Sequence, residues 1–124
     1  MVLDSFAWVE YFSGTAAGER VRGFLESSSA VTPTIVVAEL FEKYRRTAEE
    51  FGARFEFIRS RSRLAVLDEN LARTAGLLNF ERKKKVKGWG MSDSIVLATA
   101  LLSKARVVTG DPHFEDLKKE TILI

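Results

Sequence analysis

The chain has no cysteine and only one histidine among its 124 residues. The absence of cysteine excludes disulfides, thiolate metal sites and cysteine nucleophiles, and the scarcity of histidine also argues against a zinc site. The longest near-apolar run, 95–102, falls far short of the roughly 20 residues that span a membrane. Asp4 and Glu10 interrupt the apolar stretch at the N-terminus, which argues against a secretory signal. We therefore expect a cytoplasmic protein without a membrane segment.

The remaining composition is that of an ordinary globular domain, with 46% hydrophobic and 29% charged residues. No repeat, low-complexity segment or linker interrupts the chain, and we expect one domain covering residues 1–124. The net charge of +2 argues only weakly for a nucleic-acid partner, but a basic run lies between positions 82 and 87. It consists of Arg82, Lys83, Lys84, Lys85 and Lys87. Such a run is either a solvated helix end or a patch that contacts phosphates.

Short β-rich runs alternate along the chain with helical patterns. Strands are predicted at 2–3, 30–32, 64–67, 106–109 and 121–124. Helices are predicted at 5–12, 15–26, 34–51, 53–61, 68–84, 92–104 and 114–118. This alternation predicts an α/β fold, in which a parallel sheet carries helices on both faces. Such sheets bind ligands beyond the carboxyl ends of their strands, near a switch in strand order.

Four acidic residues fall where such a ligand site would lie. Asp4 follows the first strand, Asp111 follows the strand at 106–109, Asp93 lies in a first helical turn, and Glu39 lies near the start of a long helix. Each has a structural explanation as well. Aspartate caps helices that follow strands, the helix dipole favours it in a first turn, and a glutamate on a helix is often solvated. The group is more informative than any single member.

Converging carboxylates require a compensating charge. Two unit charges ~4 Å apart repel by ~4 kcal/mol at an effective dielectric constant of 20. Mg²⁺ or Mn²⁺ removes this repulsion and prefers carboxylate and water oxygens as ligands. One or two such ions suit phosphodiester hydrolysis, because a bound cation lowers the pKa of water and a second stabilises the departing oxygen. Ser5 and Thr109, beside the acids, either orient a ligand or water, or serve as turn and cap residues.

The segments around these acids resemble the four motifs of PIN domains, especially those of VapC-type toxins. The opening VLDSFAWVEYF at 2–12 closely resembles the start of these domains. TPT at 32–34 with AEL at 38–40 resembles the second motif, SDSI at 92–95 the third, and VTGD at 108–111 the fourth. No single motif is specific, but the ordered set spans nearly the whole chain.

The resemblance implies a three-layer α/β/α sandwich around a parallel sheet. It implies an endoribonuclease that uses Mg²⁺ or Mn²⁺ to cleave RNA selectively in single strands, with Asp4, Glu39, Asp93 and Asp111 as catalytic metal ligands. The family's accompanying hydroxyl positions match Ser5 and Thr109. In the toxin branch the resemblance further implies a homodimer and a cognate antitoxin whose C-terminal segment covers the acidic site.

Several alternatives to this interpretation involve particular residues. Trp89, between two glycines, either stacks on an RNA base together with the nearby lysines or closes the core over the next helix, which we favour. His113 is expected to be a surface or packing residue. An aspartyl phosphatase would need a second aspartate two residues after Asp4, where Phe6 stands. A housekeeping RNA-processing nuclease and a non-catalytic RNA- or protein-binding module on the same fold stay open.

Overall fold

A computed structural model describes residues 1–124 as five strands and six α-helices. The strands are β1 (Val2–Leu3), β2 (Val31–Pro33), β3 (Arg63–Ala65), β4 (Val107–Thr109) and β5 (Thr121–Leu123). The helices are α1 (Ser5–Ser13), α2 (Ala16–Ser27), α3 (Thr34–Arg46), α4 (Gly52–Arg61), α5 (Glu69–Lys85) and α6 (Met91–Leu102). A 3₁₀ turn, Pro112–Phe114, connects β4 to β5. None of the helices combines the length and apolar character of a membrane-spanning segment.

The strands form one parallel sheet in the order β3-β2-β1-β4-β5. The chain moves outward from β1 through β2 to β3, then returns across β1 to β4 and β5. Because crossovers between parallel strands are right-handed, this reversal puts α1 to α4 on one face of the sheet and α5 and α6 on the other. Helix α6 packs against β1, β2 and β4, at the centre of the second face. The predicted three-layer α/β/α fold is therefore confirmed.

The centre of the sheet consists of β1 and β4, the two strands at the reversal. Val2, Leu3, Val107 and Val108 have no solvent exposure, because helices cover both faces of the sheet. This double coverage explains why both strands have consecutive apolar residues instead of an alternating pattern. Each buried valine or leucine contributes ~1.5–3 kcal/mol relative to an exposed one. The central strands thus provide a rigid base for the residues that follow them.

Two turns near the N-terminus bring helices α1 and α2 into close contact. Helix α1 ends at Gly14, which adopts a left-handed conformation with φ of 69° and donates its N–H to carbonyls of the last turn. Thr15 then caps α2 by accepting the Gly18 N–H at 3.0 Å. Gly18 itself faces α1, where an added Cβ would lie 2.1 Å from the carbonyl oxygen of Glu10. The two helix backbones therefore meet at a point where only glycine fits.

Helix α3 ends at Arg46 and not at position 51. Two further predicted boundaries were wrong for local reasons. Strand β3 ends at Ala65 instead of position 67, because the chain turns there toward Asp68, whose carboxylate caps α5 through the Leu71 N–H at 2.9 Å. Helix α6 is capped by Gly90 and not by Ser92, the first residue of the segment predicted at 92–104, because the Asp93 carboxylate accepts the Gly90 N–H at 3.1 Å. Ser92 therefore lies within the first helical turn.

Candidate metal centre

The four predicted acidic residues lie at the carboxyl edge of the sheet, beside the reversal of strand order. Asp4 directly follows β1, and Asp111 follows β4 after a single glycine. Glu39 and Asp93 come from the N-terminal parts of α3 and α6, which begin at the same edge. The charges of Asp111 and Glu39 act on Asp4, and those of Asp93 and Asp111 act on Glu39. The fold thus brings each of the four carboxyl groups within electrostatic reach of at least two others, at the edge where such sheets bind ligands.

Asp4 is the most deeply buried of the four, with 6% of its surface exposed. Its Oδ1 atom accepts the Ala7 N–H at 2.9 Å, so Asp4 caps α1 and also faces the acidic group. Burial raises the pKa of Asp4 from 3.8 to about 7, and contacts with the Thr109 hydroxyl and the Ala7 N–H offset part of the rise. The charges of Asp111 and Glu39 contribute smaller parts of the same rise. A cation beside Asp4 would favour its ionised form.

The raised pKa of Asp4 predicts that the metal-free protein loses stability as pH rises from about 4 to about 7. The folded state holds the Asp4 proton up to about pH 7, whereas the unfolded chain releases it near its ordinary value. The contribution is therefore fully present below pH 4 and is lost through the folded-state pKa, with a magnitude of roughly 4 kcal/mol. We expect Asp4→Asn to remove this part of the decline.

The measurement is the free energy of unfolding in denaturant at pH 5 and pH 8, in the presence of EDTA. Asp68→Asn is the matched control, because Asp68 caps α5 through the same 2.9 Å bond but lies outside the acidic group. Glu39 contributes a decline of the same sign that stays in both variants. Equal declines in wild type and Asp4→Asn would contradict the assignment to Asp4.

Glu39 is half-buried on α3 and has two hydroxyl partners. Burial raises the pKa of Glu39, while contacts with the Ser92 and Ser5 hydroxyls lower it and the charges of Asp93 and Asp111 raise it. The Ser5 hydroxyl donates to Glu39 Oε1 at 3.3 Å. This is the contact expected of a residue that orients a ligating carboxylate. Ser92 has no counterpart among the predicted site residues.

The tightest grouping consists of Asp93, Asp111 and His113, whose ligand-type atoms all lie within 4.8 Å of one another. His113 Nδ1 is 3.1 Å from Asp93 Oδ2 and 3.8 Å from Asp111 Oδ1. Asp111 Oδ1 also accepts the His113 backbone N–H at 2.9 Å, and the Asp111 N–H donates to the Thr109 hydroxyl at 3.0 Å. Thr109 therefore contacts both Asp111 and Asp4. The expectation that His113 is a mere surface or packing residue does not fit this position.

Asp111 caps the 3₁₀ turn Pro112–Phe114, which contains His113. The helix predicted at 114–118 is wrong, because only turns follow Phe114 before β5. Arg82, a buried residue of α5, fixes the position of this segment through hydrogen bonds. Its guanidinium donates to the two Asp116 carboxylate oxygens at 2.7 and 2.8 Å, and to the His113 carbonyl at 3.1 Å. The hydrogen bonds from Arg82 lower the pKa of Asp116. Arg82 is thus a structural member of the basic run and is not free for phosphate contact.

The other members of the basic run are exposed at the end of α5. They are Lys83, Lys84, Lys85 and Lys87. Lys84 forms an exposed ion pair with Glu81 at 3.7 Å, which contributes little to stability. The run leads to Gly88, where an added Cβ would lie 3.1 Å from His113 Nε2. Gly88, the residue after Lys87, therefore borders the acidic group, and the contact of the lysines with RNA stays a prediction.

Trp89 is buried, which corrects the alternative that it stacks on an RNA base. Its surface is 2% exposed, and its Nε1–H donates to the Ser94 hydroxyl at 2.7 Å. The Ser94 hydroxyl donates in turn to Asn79 at 3.0 Å, and the Arg82 guanidinium lies 4.4 Å from the indole centroid. Exposing the indole would break this arrangement. The packing alternative fits the geometry, since Trp89 closes the core where α6 begins.

A cleft of about 670 Å³ opens beside Glu39 and Asp111. Its walls include Lys43 and Arg46 from α3 and the ring of Phe6 from α1. Lys43 lies four residues after Glu39, so the two side chains share a helix face. That spacing is readable in the sequence, and it would have identified Lys43 as a neighbour of the acidic group. The volume lies in the range of small-ligand sites.

The chemistry of the donor set fits a hard divalent cation. The charges that act on Asp4 and Glu39 are all negative, so the carboxylates repel one another when they are ionised. Carboxylate oxygens are the ligands that Mg²⁺ and Mn²⁺ prefer. The fold and this group define a class of protein: a three-layer α/β protein with a cluster of carboxylates, suited to bind a divalent metal, at the switch point of its sheet.

Comparison with known proteins places the chain within that class. The PIN-domain family model matches residues 1–120, and the chain belongs to the PIN-domain family. No curated protein sequence matches it. Solved structures with a similar fold include a toxin–antitoxin complex from Klebsiella pneumoniae, at 19% identity and a TM-score of 0.75, covering 98% of this chain and 94% of that one.

Two further structures show the same likeness. VapBC2 from Rickettsia felis, bound to a DNA fragment from its promoter, has 18% identity and a TM-score of 0.71 and covers 99% of this chain and 96% of that one. VapC20 of Mycobacterium tuberculosis, described as a sarcin–ricin loop cleaving toxin, has 14% identity and a TM-score of 0.73 and covers 94% of this chain and 93% of that one. At these identities the likeness concerns the fold.

Proposed function

We propose that this protein is a divalent-metal-dependent endoribonuclease, with residues 1–124 forming one nuclease domain, and that it is the toxin of a VapBC-type toxin–antitoxin pair. The observation that carries the proposal is the convergence of four carboxyl groups at the switch point, where the charges that act on Asp4 and Glu39 are all negative. RNA binding alone gains nothing from clustered negative charge. A metal-dependent phosphodiesterase requires it.

The residues divide into those that hold the cation and those that orient them. Asp4, Glu39, Asp93 and Asp111 would hold one or two Mg²⁺ or Mn²⁺ ions. When bound, such a cation supplies positive charge that activates water for attack on a phosphodiester and stabilises the departing oxygen. The Ser5 hydroxyl fixes the orientation of Glu39. The Thr109 hydroxyl, between Asp4 and Asp111, fixes these two relative to each other.

The test is incubation of a labelled pool of single-stranded RNA with untagged protein and Mg²⁺ or Mn²⁺. We expect internal cleavage that stops with EDTA and returns when excess Mn²⁺ is added. Sequencing the new ends then gives the preferred context. No cleavage of this pool or of total cellular RNA by folded protein in excess Mn²⁺ would contradict the nuclease proposal and favour a binding module.

The exposed lysines at the end of α5 are proposed to hold phosphates of the bound RNA. Replacing Lys83, Lys84 and Lys85 by glutamine should weaken RNA binding and reduce the slope of log affinity against log salt by about 0.7 for each lost phosphate contact. Binding is measured in the Asp4→Asn background and in EDTA, so that RNA cleavage does not interfere.

A triple variant at the amino edge of the sheet is the matched control for this change. Lys104, Lys118 and Lys119 precede β4 and β5 and lose the same three charges when replaced by glutamine. We expect the control to retain a steeper salt dependence than the α5 variant. Equal slopes of log affinity against log salt in the two variants would mean that the α5 lysines are solvated surface residues that do not contact RNA.

The partners proposed for the toxin are an antitoxin and a second copy of the chain. The similar structures of toxin–antitoxin complexes support the antitoxin, and the cleft beside Glu39 and Asp111 offers room for its C-terminal segment. Exposed Leu77 and Phe80 on α5, at 68% and 64% exposure, support an apolar interface. Sedimentation equilibrium of the isolated 13.9 kDa chain distinguishes a homodimer from a monomer.

A further inference from the structure

We propose that His113 is an inner-sphere ligand of the divalent cation, binding through Nδ1 next to Asp93 and Asp111, and that the centre therefore prefers Mn²⁺ to Mg²⁺. This inference rests on the proposed metal centre and adds to the carboxylate set a nitrogen ligand and a metal preference. The residues involved are the tightest cluster of potential metal ligands in the structure.

The distances within the cluster match those between ligands of one ion. Metal–ligand bonds of ~2.1 Å in octahedral geometry separate adjacent ligand atoms by ~3.0 Å and opposite ones by ~4.2 Å. His113 Nδ1 lies 3.1 Å from Asp93 Oδ2, as adjacent ligands do, and 3.8 Å from Asp111 Oδ1, between the two limits. Both carboxylates face the same ring nitrogen, so one ion between the three atoms can contact all of them.

The imidazole is held in this position from several sides. The His113 backbone N–H donates to Asp111 Oδ1 at 2.9 Å, and its carbonyl accepts from Arg82 at 3.1 Å. The edge of the ring that carries Nε2 lies against Gly88, where a Cβ would approach to 3.1 Å. Gly88 has φ of 84°, a conformation that also favours glycine. Such restraint is what a metal ligand needs, because a fixed side chain loses little entropy when the ion binds.

The proton arrangement of the ring is compatible with ligation. Ligation through Nδ1 leaves the ring proton on Nε2, and ligating histidines normally donate that second N–H to an acceptor. The His113 side chain is 34% exposed, so water can accept this hydrogen bond. Asp4, which is buried, and Glu39, on α3, lie outside the 4.8 Å group. They would complete the centre through a second ion or through bridging water.

The metal preference follows from the nature of the nitrogen ligand. Mg²⁺ takes oxygen ligands and strictly octahedral geometry, whereas imidazole suits first-row transition metals. Replacing one oxygen ligand by His113 Nδ1 therefore lowers the binding affinity for Mg²⁺ more than the affinity for Mn²⁺. We expect His113→Gln to lower Mn²⁺ affinity by at least about tenfold and to narrow the ratio of Mn²⁺ to Mg²⁺ affinity.

Pulsed electron paramagnetic resonance of the Mn²⁺-loaded, untagged protein tests the inference directly. His113 is the only histidine, so labelling all histidine with ¹⁵N labels this ring alone and requires no mutation. We expect electron spin echo modulation from a nitrogen bonded to Mn²⁺, and a changed modulation pattern on ¹⁵N-histidine labelling. The His113→Gln variant should lack this modulation. It should still bind Mn²⁺, but with lower affinity than the wild-type protein.

The outcomes separate this inference from the function on which it rests. Bound Mn²⁺ whose modulation is unaffected by the ¹⁵N label overturns the ligand assignment, leaves the nuclease proposal standing, and makes His113 a hydrogen-bond partner of Asp93. The absence of bound Mn²⁺ overturns both proposals. Mn²⁺ affinity that falls no more than Mg²⁺ affinity in His113→Gln overturns the metal preference.

Discussion

Asp4→Asn should reduce RNA cleavage by roughly 10²–10³-fold, equivalent to ~3–4 kcal/mol of transition-state stabilisation. The substitution removes one of four carboxylates proposed to hold the cation but keeps an oxygen that can accept the Ala7 N–H. Asparagine and aspartate are comparable as helix caps, so α1 should remain intact. Single-turnover cleavage of a defined RNA in saturating Mn²⁺ measures the effect, and circular dichroism verifies the fold.

Asp68→Asn is the control that separates the two roles of Asp4. Asp68 and Asp4 both accept the backbone N–H three residues ahead at 2.9 Å, and both begin a helix. Only Asp4 is buried among other carboxyl groups. We expect Asp68→Asn to cleave RNA at the wild-type rate. Comparable losses in the two variants, or none in Asp4→Asn, would mean that Asp4 acts only as a cap.

Gly18→Ala should be among the most destabilising single-methyl changes available in this chain. The new Cβ would lie 2.1 Å from the Glu10 carbonyl oxygen and 2.6 Å from its carbon. Both atoms belong to the backbone of α1, so the strain cannot be relieved by rotating a side chain. Overpacking of this kind costs ~1–3 kcal/mol and sometimes more. We expect a loss of ~3 kcal/mol in the free energy of unfolding, measured by denaturant titration.

Gly23→Ala on the same helix should have the opposite effect. No atom lies within 4 Å of a Cβ at Gly23, and the position is exposed within α2. Alanine there should stabilise the protein by ~0.5–1 kcal/mol, because glycine is a poor helix former. The Gly18→Ala prediction is contradicted if that variant lowers the free energy of unfolding by less than about 1 kcal/mol. Such a result would mean that α1 and α2 can move apart at this contact at little cost.

The sequence predicts the fold class where its pattern has a single explanation. The consecutive apolar residues of β1 and β4 identify buried parallel strands, and the Asp4 and Asp68 caps identify the starts of α1 and α5. The end of β3 was not predictable in the same way. Val66 and Leu67 have the composition of a strand but remain 65% and 49% exposed, because the backbone turns before them. A local pattern does not report such a turn.

The sequence also predicts the four acidic positions but not the distances between them. Those distances depend on contacts between residues far apart in the chain. Arg82 holds the turn that presents Asp111 and His113, yet in the sequence it appears as one more member of a basic run. The proximity of His113 to Asp93 depends on this turn and on the close approach of Gly88. A lone histidine therefore carried no signal before the structure brought these segments together.

Titration of Mn²⁺, followed by the electron paramagnetic resonance signal of the free ion, tests the central claim most directly. The claim is that the carboxyl groups at the switch point form one divalent-metal site. Wild-type protein should bind one or two Mn²⁺ ions, and Asp93→Asn should bind at least one of them about 10²-fold more weakly while keeping its bond to Gly90. Equal stoichiometry and affinity in the two proteins, or no binding in either, would contradict the claim.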